Sequence, residues 1–199
     1  KTFAYTFNHC KGLTGNIPIG LFENCPDVTS FVCTFYECNG LTGSIPNGLF
    51  DYASKAESFD HTFSRTAITG SIPEGLFDYC ISATEFKATF NACSGLTGNI
   101  PKGLFKNNTE VVDFSRTFEE CSGLIGSIPE GLFDNCTNVI TFYNTFYDCN
   151  GLEGNIPEKL FDNCPKVTTF NGTFYACRRL TGNIPEGLFD NCTNVTSFD

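Results

Sequence analysis

Cysteine is the residue type with the greatest chemical potential in this chain, which has 12 cysteines among 199 residues. Cysteines at a regular spacing can form disulfides, bind zinc or fill a core as small buried thiols. Zinc is disfavoured because no C-x-x-C pair and no paired histidines accompany them. Apart from Cys33, they form two columns: Cys10, Cys38, Cys93, Cys121, Cys149 and Cys177, and Cys25, Cys80, Cys136, Cys164 and Cys192.

The gaps in the two columns favour one pairing register. If cysteines pair across 13 residues, Ala53 and Thr66 replace both partners of a single missing disulfide. Free buried thiols are the alternative, because Asn108 stands opposite Cys121 and breaks the rule. Frequent cysteine also favours an oxidising, extracellular or cell-surface location. The register predicts disulfides worth ~2–4 kcal/mol each at Cys25–Cys38, Cys80–Cys93, Cys136–Cys149 and Cys164–Cys177.

Carboxylates form a further column. Side chains stacked ~5 Å apart repel one another, so a calcium ion could bridge them. A solvated edge is the favoured alternative, because Lys106 interrupts the column and no bidentate calcium-loop pattern is present. We therefore predict no metal site and no cofactor. The column consists of Glu23, Asp51, Asp78, Asp134, Asp162 and Asp190.

The other polar residues form no catalytic constellation. The 2 histidines, His9 and His61, are isolated, and no P-loop, dinucleotide-binding glycine motif or G-x-S-x-G elbow occurs. A net charge of −10 disfavours nucleic-acid binding. The apolar runs are far shorter than the ~20 residues needed to span a bilayer. We predict a protein that is not an enzyme, binds no nucleic acid and does not insert into membranes.

Five N-x-[ST] sequons are candidate glycosylation sites if the chain is secreted from a eukaryotic cell. Their acceptors are Asn107, Asn135, Asn171, Asn191 and Asn194.

All these columns belong to one internal repeat. One unit cannot bury its own apolar side chains, whereas stacked copies place like residues on like residues. The 22 phenylalanines fall into three columns of the unit, with none left over. We predict a single-domain solenoid over residues 1–199, with seven coils of 27–28 residues and no recognisable capping repeats. The unit is marked by the dipeptide Ile-Pro at Ile17, Ile45, Ile72, Ile100, Ile128, Ile156 and Ile184.

Local signals within the unit predict mainly short parallel strands and turns. V-T-S-F is typical of a short strand, and L-T-G-x-I-P is typical of a second extended segment that ends at proline. Proline followed by G-L-F-[DE]-N predicts one helical or 3₁₀ turn. The glycine of L-T-G, as in Gly15 and Gly43, predicts a positive φ or a close backbone approach.

The motifs resemble leucine-rich repeats. G-L-T-G-S-I-P-E-G-L-F is similar to the L-T-G-x-I-P segment of plant-type leucine-rich repeats. F-D-N-C-T-N-V-T-S-F-D and T-F-Y-A-C-R-R-L resemble the BspA-like leucine-rich repeats of bacteria and protists, in which methionine stands where this chain has phenylalanine. The resemblance implies a secreted or surface-attached adhesion or binding module without enzymatic activity.

Residues around the T-F pair vary while the framework repeats. Stacking would bring them onto one face, where Tyr and Arg make effective contacts with a protein or carbohydrate ligand. Neutral drift at solvent positions is the alternative. The predicted binding surface contains Tyr36, His61, Arg65, Arg116, Tyr143, Tyr147 and Tyr175.

The same pattern is consistent with two other functions. The absence of capping repeats is consistent with a longer array or with copies that assemble end-to-end into an extracellular filament. An exposed threonine column could bind ice, but Ile125 and Glu153 interrupt it. That column comprises Thr14, Thr42, Thr69, Thr97 and Thr181.

Overall fold

The computed structural model describes residues 1–198, which coil into a solenoid held together by parallel contacts. We number the sequence repeats 1 to 7, each beginning at a phenylalanine: residues 3–30, 31–58, 59–85, 86–113, 114–141, 142–169 and 170–197. Only two regular strands occur in this range, β1 (Glu153–Gly154) and β2 (Arg179–Leu180). They are parallel, with Glu153 opposite Arg179 and Gly154 opposite Leu180.

Single-residue parallel bridges replace longer strands elsewhere. One series passes through the predicted V-T-S-F strand and another joins the L-T-G segments, as in Gly98 with Leu124. The positions and the parallel direction agree with the sequence prediction. The strands are shorter because, in the V-T-S-F series, a positive-φ residue follows three positions after each bridging residue from Thr2 to Thr169. The first series joins Thr2, Ser30, Ser58, Glu85, Asp113, Thr141, Thr169 and Ser197 in turn.

The segment after Ile-Pro, for which the sequence predicts one helical or 3₁₀ turn, is a chain of β-turns. In repeat 1, the amides of Leu21, Glu23 and Cys25 donate to carbonyls three residues earlier, at 3.3, 3.0 and 3.0 Å. Gly20 lies between them with a φ of 74°, which a right-handed helix cannot accommodate.

The glycine of L-T-G behaves as predicted. Gly15 has a φ of 82°, in the region that glycine tolerates without steric cost. Gly43 has no positive φ, but a Cβ there would collide with Asn16 Oδ1 from the preceding repeat. Positive φ therefore explains the glycine of repeat 1, and close approach of the preceding repeat explains that of repeat 2.

The three phenylalanine columns supply the largest side chains of the core, which also contains buried leucine, isoleucine, valine, alanine and cysteine. Along one column, Phe118 lies between Phe90 and Phe146, with ring centroids 5.8 and 5.6 Å apart and nearly parallel planes. Between columns, the rings are tilted, as in Phe105 against Phe114 at 4.6 Å. Each ring in the interior repeats therefore has aromatic neighbours both along and across the stack, which favours one register over any other.

Buried hydroxyl groups tie the repeats together inside the core. The Oγ1 of Thr117 donates to the carbonyl of Phe114 in its own repeat at 2.7 Å and to that of Phe86 in the preceding repeat at 3.0 Å. Thr62 makes the same pair of bonds to Phe59 and Phe31. Each of these carbonyls already accepts the backbone amide three residues further along its own repeat, so the hydroxyl adds a contact that links neighbouring repeats.

All twelve cysteines are free thiols in the structure, which differs from the four predicted disulfides. Burial raises the pKa of the Cys121 thiol, and Cys93 and Cys149, which belong to the same column, raise it further. The predicted disulfides would instead join cysteines of different columns. Each buried thiol also has a backbone acceptor of its own. Cys121 Sγ donates to the carbonyl of Phe90 at 2.9 Å, and Cys149 Sγ to that of Phe118 at 2.9 Å.

Residues that replace cysteine explain what the columns require. Asn108 is fully buried and its Nδ2 donates to the carbonyls of Phe77 and Cys80 in the preceding repeat, at 3.2 and 2.9 Å. Thr66 replaces cysteine in the other column and donates through Oγ1 to Phe63 at 2.7 Å. A small buried side chain therefore suits both columns, and most of those present, whether Cys, Asn or Thr, also donate to a backbone carbonyl; Ala53 is the buried replacement without a donor.

We expect Phe118→Ala to lower the free energy of unfolding by about 3–5 kcal/mol, because it opens a cavity between two stacked rings. Phe118 is completely buried, whereas Ile19 is 86% exposed. Ile19→Ala should change stability by less than about 0.5 kcal/mol and serves as the control. Chemical denaturation measures both; a loss below about 1 kcal/mol for Phe118→Ala would contradict the assignment of this residue to the core.

We expect all 12 thiols to react with an alkylating reagent in denatured protein that has not been reduced. In the native protein, burial raises the pKa of the Cys93 and Cys177 thiols to about 11, so both should react slowly. Mass spectrometry counts the modified residues. Only four reactive thiols in the denatured state, with the eight cysteines of the predicted pairs protected, would instead establish those disulfides.

Candidate functional site

Each repeat opens with a segment in which two residues have a positive φ. The segment follows the pattern Phe-x-X-Thr-Phe-x-X-Cys, in which X marks the positive-φ positions, such as Arg116 and Glu120 in repeat 5. Thirteen non-glycine residues adopt φ values between 51° and 60°, and every one of them is an X residue. We call the surface formed by the x and X side chains the positive-φ face.

Hydrogen bonds between repeats impose this conformation. The amide of Arg116 donates to the carbonyl of Tyr143 in the next repeat at 2.8 Å, and that of Glu120 donates to Tyr147 at 2.8 Å. The following residues, Thr117 and Cys121, close turns onto Phe114 and Phe118. The backbone geometry is therefore independent of the X side chain, although a left-handed residue other than glycine costs ~1–2 kcal/mol.

All seven sequence-predicted binding residues lie on the positive-φ face, but in two separate clusters. The first, which we call the acid–base cluster, is in repeats 1 to 3 and consists of His9, Tyr36, Glu37, His61 and Arg65. The second, which we call the aromatic cluster, is in repeats 5 to 7 and consists of Arg116, Glu119, Tyr143, Tyr147 and Tyr175. Repeat 4 separates them with alanine at both X positions, Ala88 and Ala92.

Glu37 is the centre of the acid–base cluster. Its carboxylate lies 3.0 Å from His9 Nδ1, 3.3 Å from Lys11 Nζ and 3.5 Å from Arg65 Nη1. Burial opposes ionisation of Glu37, but the hydrogen bond from Lys11 and the nearby charges of His9 and Lys11 prevail and lower its pKa. Glu37 is thus an ionised carboxylate surrounded by basic groups.

Aromatic contacts continue along the same cluster. Tyr36 packs edge-on against His9 and His61, with ring centroids 5.3 and 5.7 Å apart. Burial lowers the pKa of His61, and the charges of Lys87, Arg116 and Arg65 lower it further. Its Nδ1 is buried and has no hydrogen-bond partner within residues 1–198.

Asp60 is an unusual acid beside this cluster. Burial raises its pKa to about 7, with further contributions from Glu85 and Asp113, although its Oδ1 accepts a hydrogen bond from the amide of Lys87 at 3.0 Å. Asp60 therefore gains a proton near neutral pH.

The aromatic cluster contains a cation–π contact and a stacked tyrosine pair. The Arg116 guanidinium lies 5.2 Å from the centre of the Tyr143 ring and 3.3 Å from Glu119 Oε2. Tyr147 and Tyr175 stack with ring centroids 4.7 Å apart and an interplanar angle of 12°. The cluster borders a groove of about 500 Å³ that these tyrosines line together with Glu119, Glu120, Asn144, Asn171 and Gly172.

Sequence reasoning missed the two carboxylates that organise the clusters. Glu37 and Glu119 are at variable positions of the T-F segment, so the variability signal includes them, but the preference for Tyr and Arg at contact surfaces excluded them. Glu119 is 6% exposed. So deeply buried a carboxylate is not expected at a variable position, because variable positions are predicted to face solvent.

The candidate glycosylation sites occupy two environments. Asn107 is exposed, and its Nδ2 donates to the carbonyl of Asp78 in the preceding repeat at 2.9 Å. Asn135, Asn191 and Asn194 make equivalent bonds to Lys106, Asp162 and Pro165. Asn171 is half-buried beside the aromatic cluster.

The acidic column lies along the Ile-Pro turns. Lys106 Nζ pairs with Asp78 at 2.8 Å, and a depression of about 1120 Å³ follows the turns of repeats 5 and 6. Its carboxylates, such as Glu130 and Asp134, belong to the repeated framework. Within residues 1–198, no three His, Cys, Asp or Glu side chains are grouped closely enough to hold a metal ion.

Comparison with known proteins identifies the fold. The chain is similar to the leucine-rich-repeat ectodomain of the plant membrane receptor kinase GASSHO1/SCHENGEN3 from Arabidopsis thaliana, with 22% identity and a TM-score of 0.62. That structure holds CASPARIAN STRIP INTEGRITY FACTOR 2; the match covers 92% of this chain and 19% of that one. A plant ice-binding protein is similar at 20% identity and a TM-score of 0.51, over 79% of this chain and 44% of that one.

This protein has a leucine-rich-repeat-type solenoid fold. No protein-family model matches the chain, and no curated protein sequence is significantly similar. The chain spans about a fifth of the length of the receptor ectodomain and less than half that of the ice-binding protein. No helix among residues 1–198 is long and apolar enough to cross a membrane.

We expect Ala92→Gly to stabilise the protein by ~0.5–1 kcal/mol, because relief of left-handed strain exceeds the entropy that glycine loses on folding. Ala92 has a φ of 56°, whereas Ala67, also half-buried, is not among the positive-φ residues. Ala67→Gly should therefore destabilise by ~0.5–1 kcal/mol. Chemical denaturation compares the two; equal destabilisation by both substitutions would contradict the positive-φ geometry.

Proposed function

We propose that this protein is a non-enzymatic, extracellular or cell-surface adhesion and binding module of the BspA-like leucine-rich-repeat type. It contacts a protein or carbohydrate partner through the positive-φ face. The observation that carries the proposal is that side chains as different as Arg116, Glu120 and His61 occupy one strained backbone geometry on one surface.

The strain is the physical reason to connect this surface with binding. Glycine and asparagine adopt a left-handed conformation most readily, yet Tyr, His, Arg and Glu occupy half of the fourteen X positions of this chain. Strained residues persist where the surroundings enforce them, and they concentrate at ligand-binding surfaces. Repeat 4 shows that alanine is compatible with both X positions, so the framework itself does not need the larger side chains.

Structural similarity supports a binding role in general terms. The receptor ectodomain that this fold resembles was solved with CASPARIAN STRIP INTEGRITY FACTOR 2 bound. Ice binding is less well supported, although Thr42 and Thr97 are exposed. The threonine column is broken by Ile125 and by Glu153, whose carboxylate pairs with Arg179 at 2.8 Å.

The proposal is tested with microspheres that carry the protein and are washed over cultured cells. A face variant replaces Tyr36, His61, Arg65, Arg116, Tyr143, Tyr147 and Tyr175 with alanine. A control variant replaces Glu74, Lys102, Glu130 and Glu158, which are exposed on the Ile-Pro turns. Wild-type and control microspheres should be retained, and the face variant should be retained at least tenfold less.

Treatment of the cells separates the two kinds of partner. Retention that protease abolishes indicates a protein, and retention that glycosidases abolish indicates a carbohydrate. Equal retention of the wild type and the face variant, or no retention of the wild type on any cell type, would refute the proposal. Light scattering of the same samples should show single molecules; long assemblies would support the filament alternative instead.

A further inference from the structure

Glu119 places an unused acceptor oxygen at the base of the groove beside the aromatic cluster. Its side chain is 8% exposed, and Oε2 makes no hydrogen bond within the described residues. Arg116 Nη1 is 3.3 Å from this oxygen, but the contact is an ion pair without hydrogen-bond geometry. A buried carboxylate oxygen that lacks a hydrogen bond is costly, and a ligand that donates to it would remove that cost.

Aromatic rings border the groove beside Glu119. Tyr143, Tyr147 and Tyr175 line it. Gly172 leaves it open, since a Cβ at this position would collide with Asn144 Oδ1. Tyrosine rings attract cations through their π faces, and they also pack against the methylene groups of a long side chain.

Negative charge dominates around the groove. Burial raises the pKa of Tyr147, and Tyr175, Asp148, Glu119 and Glu120 raise it further. Burial also raises the pKa of Glu119, an effect that the charge of Arg116 opposes and that of Glu120 reinforces. Two carboxylates, Glu119 and Glu120, therefore line the groove against the single positive charge of Arg116, and a second cation would be stabilised there.

We propose that this groove binds a lysine side chain of a partner protein. The ammonium group donates to Glu119 Oε2, and the methylene stem packs against Tyr143 and Tyr147. A single free acceptor matches the point charge of an ammonium better than the two-pronged guanidinium of arginine. This inference rests on the proposed binding function and specifies the chemistry of the partner.

Nuclear magnetic resonance of protein labelled in its 7 tyrosine rings tests the inference with a defined probe. The probe is a peptide with three lysines separated by glycine, and the matched peptide carries acetyl groups on the lysine side chains. The unmodified peptide should shift the Tyr143, Tyr147 and Tyr175 signals. The acetylated peptide should bind at least tenfold more weakly, because acetylation removes the charge.

Substitutions test whether the Glu119 carboxylate is the group that binds the lysine ammonium. Glu119→Gln keeps the side-chain volume and should weaken binding of the lysine peptide at least tenfold. Glu74→Gln removes an equal charge from an exposed turn and should leave binding unchanged. Unchanged affinity of Glu119→Gln, equal binding of the acetylated peptide, or no shift of the three tyrosine signals would each overturn the lysine assignment.

The microsphere assay separates this outcome from failure of the proposed function. If Glu119→Gln microspheres are retained as the wild type while the seven-residue variant is not, the positive-φ face binds a partner by other contacts. In that case the adhesion function stands and the lysine site is refuted.

Discussion

The hydrogen bonds that each positive-φ segment donates to the next repeat are the interaction on which the rest of the structure depends. In repeat 5, the amides of Arg116, Phe118 and Glu120 donate to carbonyls of repeat 6 at 2.8 to 2.9 Å. These bonds set the offset between repeats at 27 or 28 residues, which places Phe118 over Phe90. Phenylalanine stacking and the buried threonine bonds follow from the same offset, and both would be lost if it changed.

Sequence predicted the parts of the fold that depend on periodicity. The phenylalanine columns are buried in the interior repeats, as at Phe86, and the bridges are parallel and occur where V-T-S-F and L-T-G predicted them. The positive φ of residues such as Arg65 and Tyr5 was not predictable, because these residue types favour right-handed or extended backbone. Strand propensity therefore overestimated the length of the strands. The positive φ of Gly20 gives β-turns where the sequence predicts a helical or 3₁₀ turn.

The cysteine columns show why a pattern of gaps can indicate more than one chemistry. Coupled loss at Ala53 and Thr66 is consistent with a missing disulfide. It is equally consistent with two columns of small buried side chains, most of which donate to a carbonyl of the preceding repeat. Asn108 and Thr66 distinguish the two in the structure, since both donate in place of a thiol. Only the positions of the acceptors, which the sequence does not contain, separate these explanations.

The single shortened repeat shows how the solenoid tolerates change beside the positive-φ face. Most repeats carry a glycine before the L-T-G leucine, and a Cβ on Gly95 would collide with the carbonyl of Ile68. Repeat 3 has one residue fewer at this point, yet Ile68 is 1% exposed and fills the core position. The shortening borders a notch of about 370 Å³ lined by Glu37, Arg65 and Ala92, among others. Because the core residues keep their places, the change alters the surface next to the acid–base cluster at little cost to the stack.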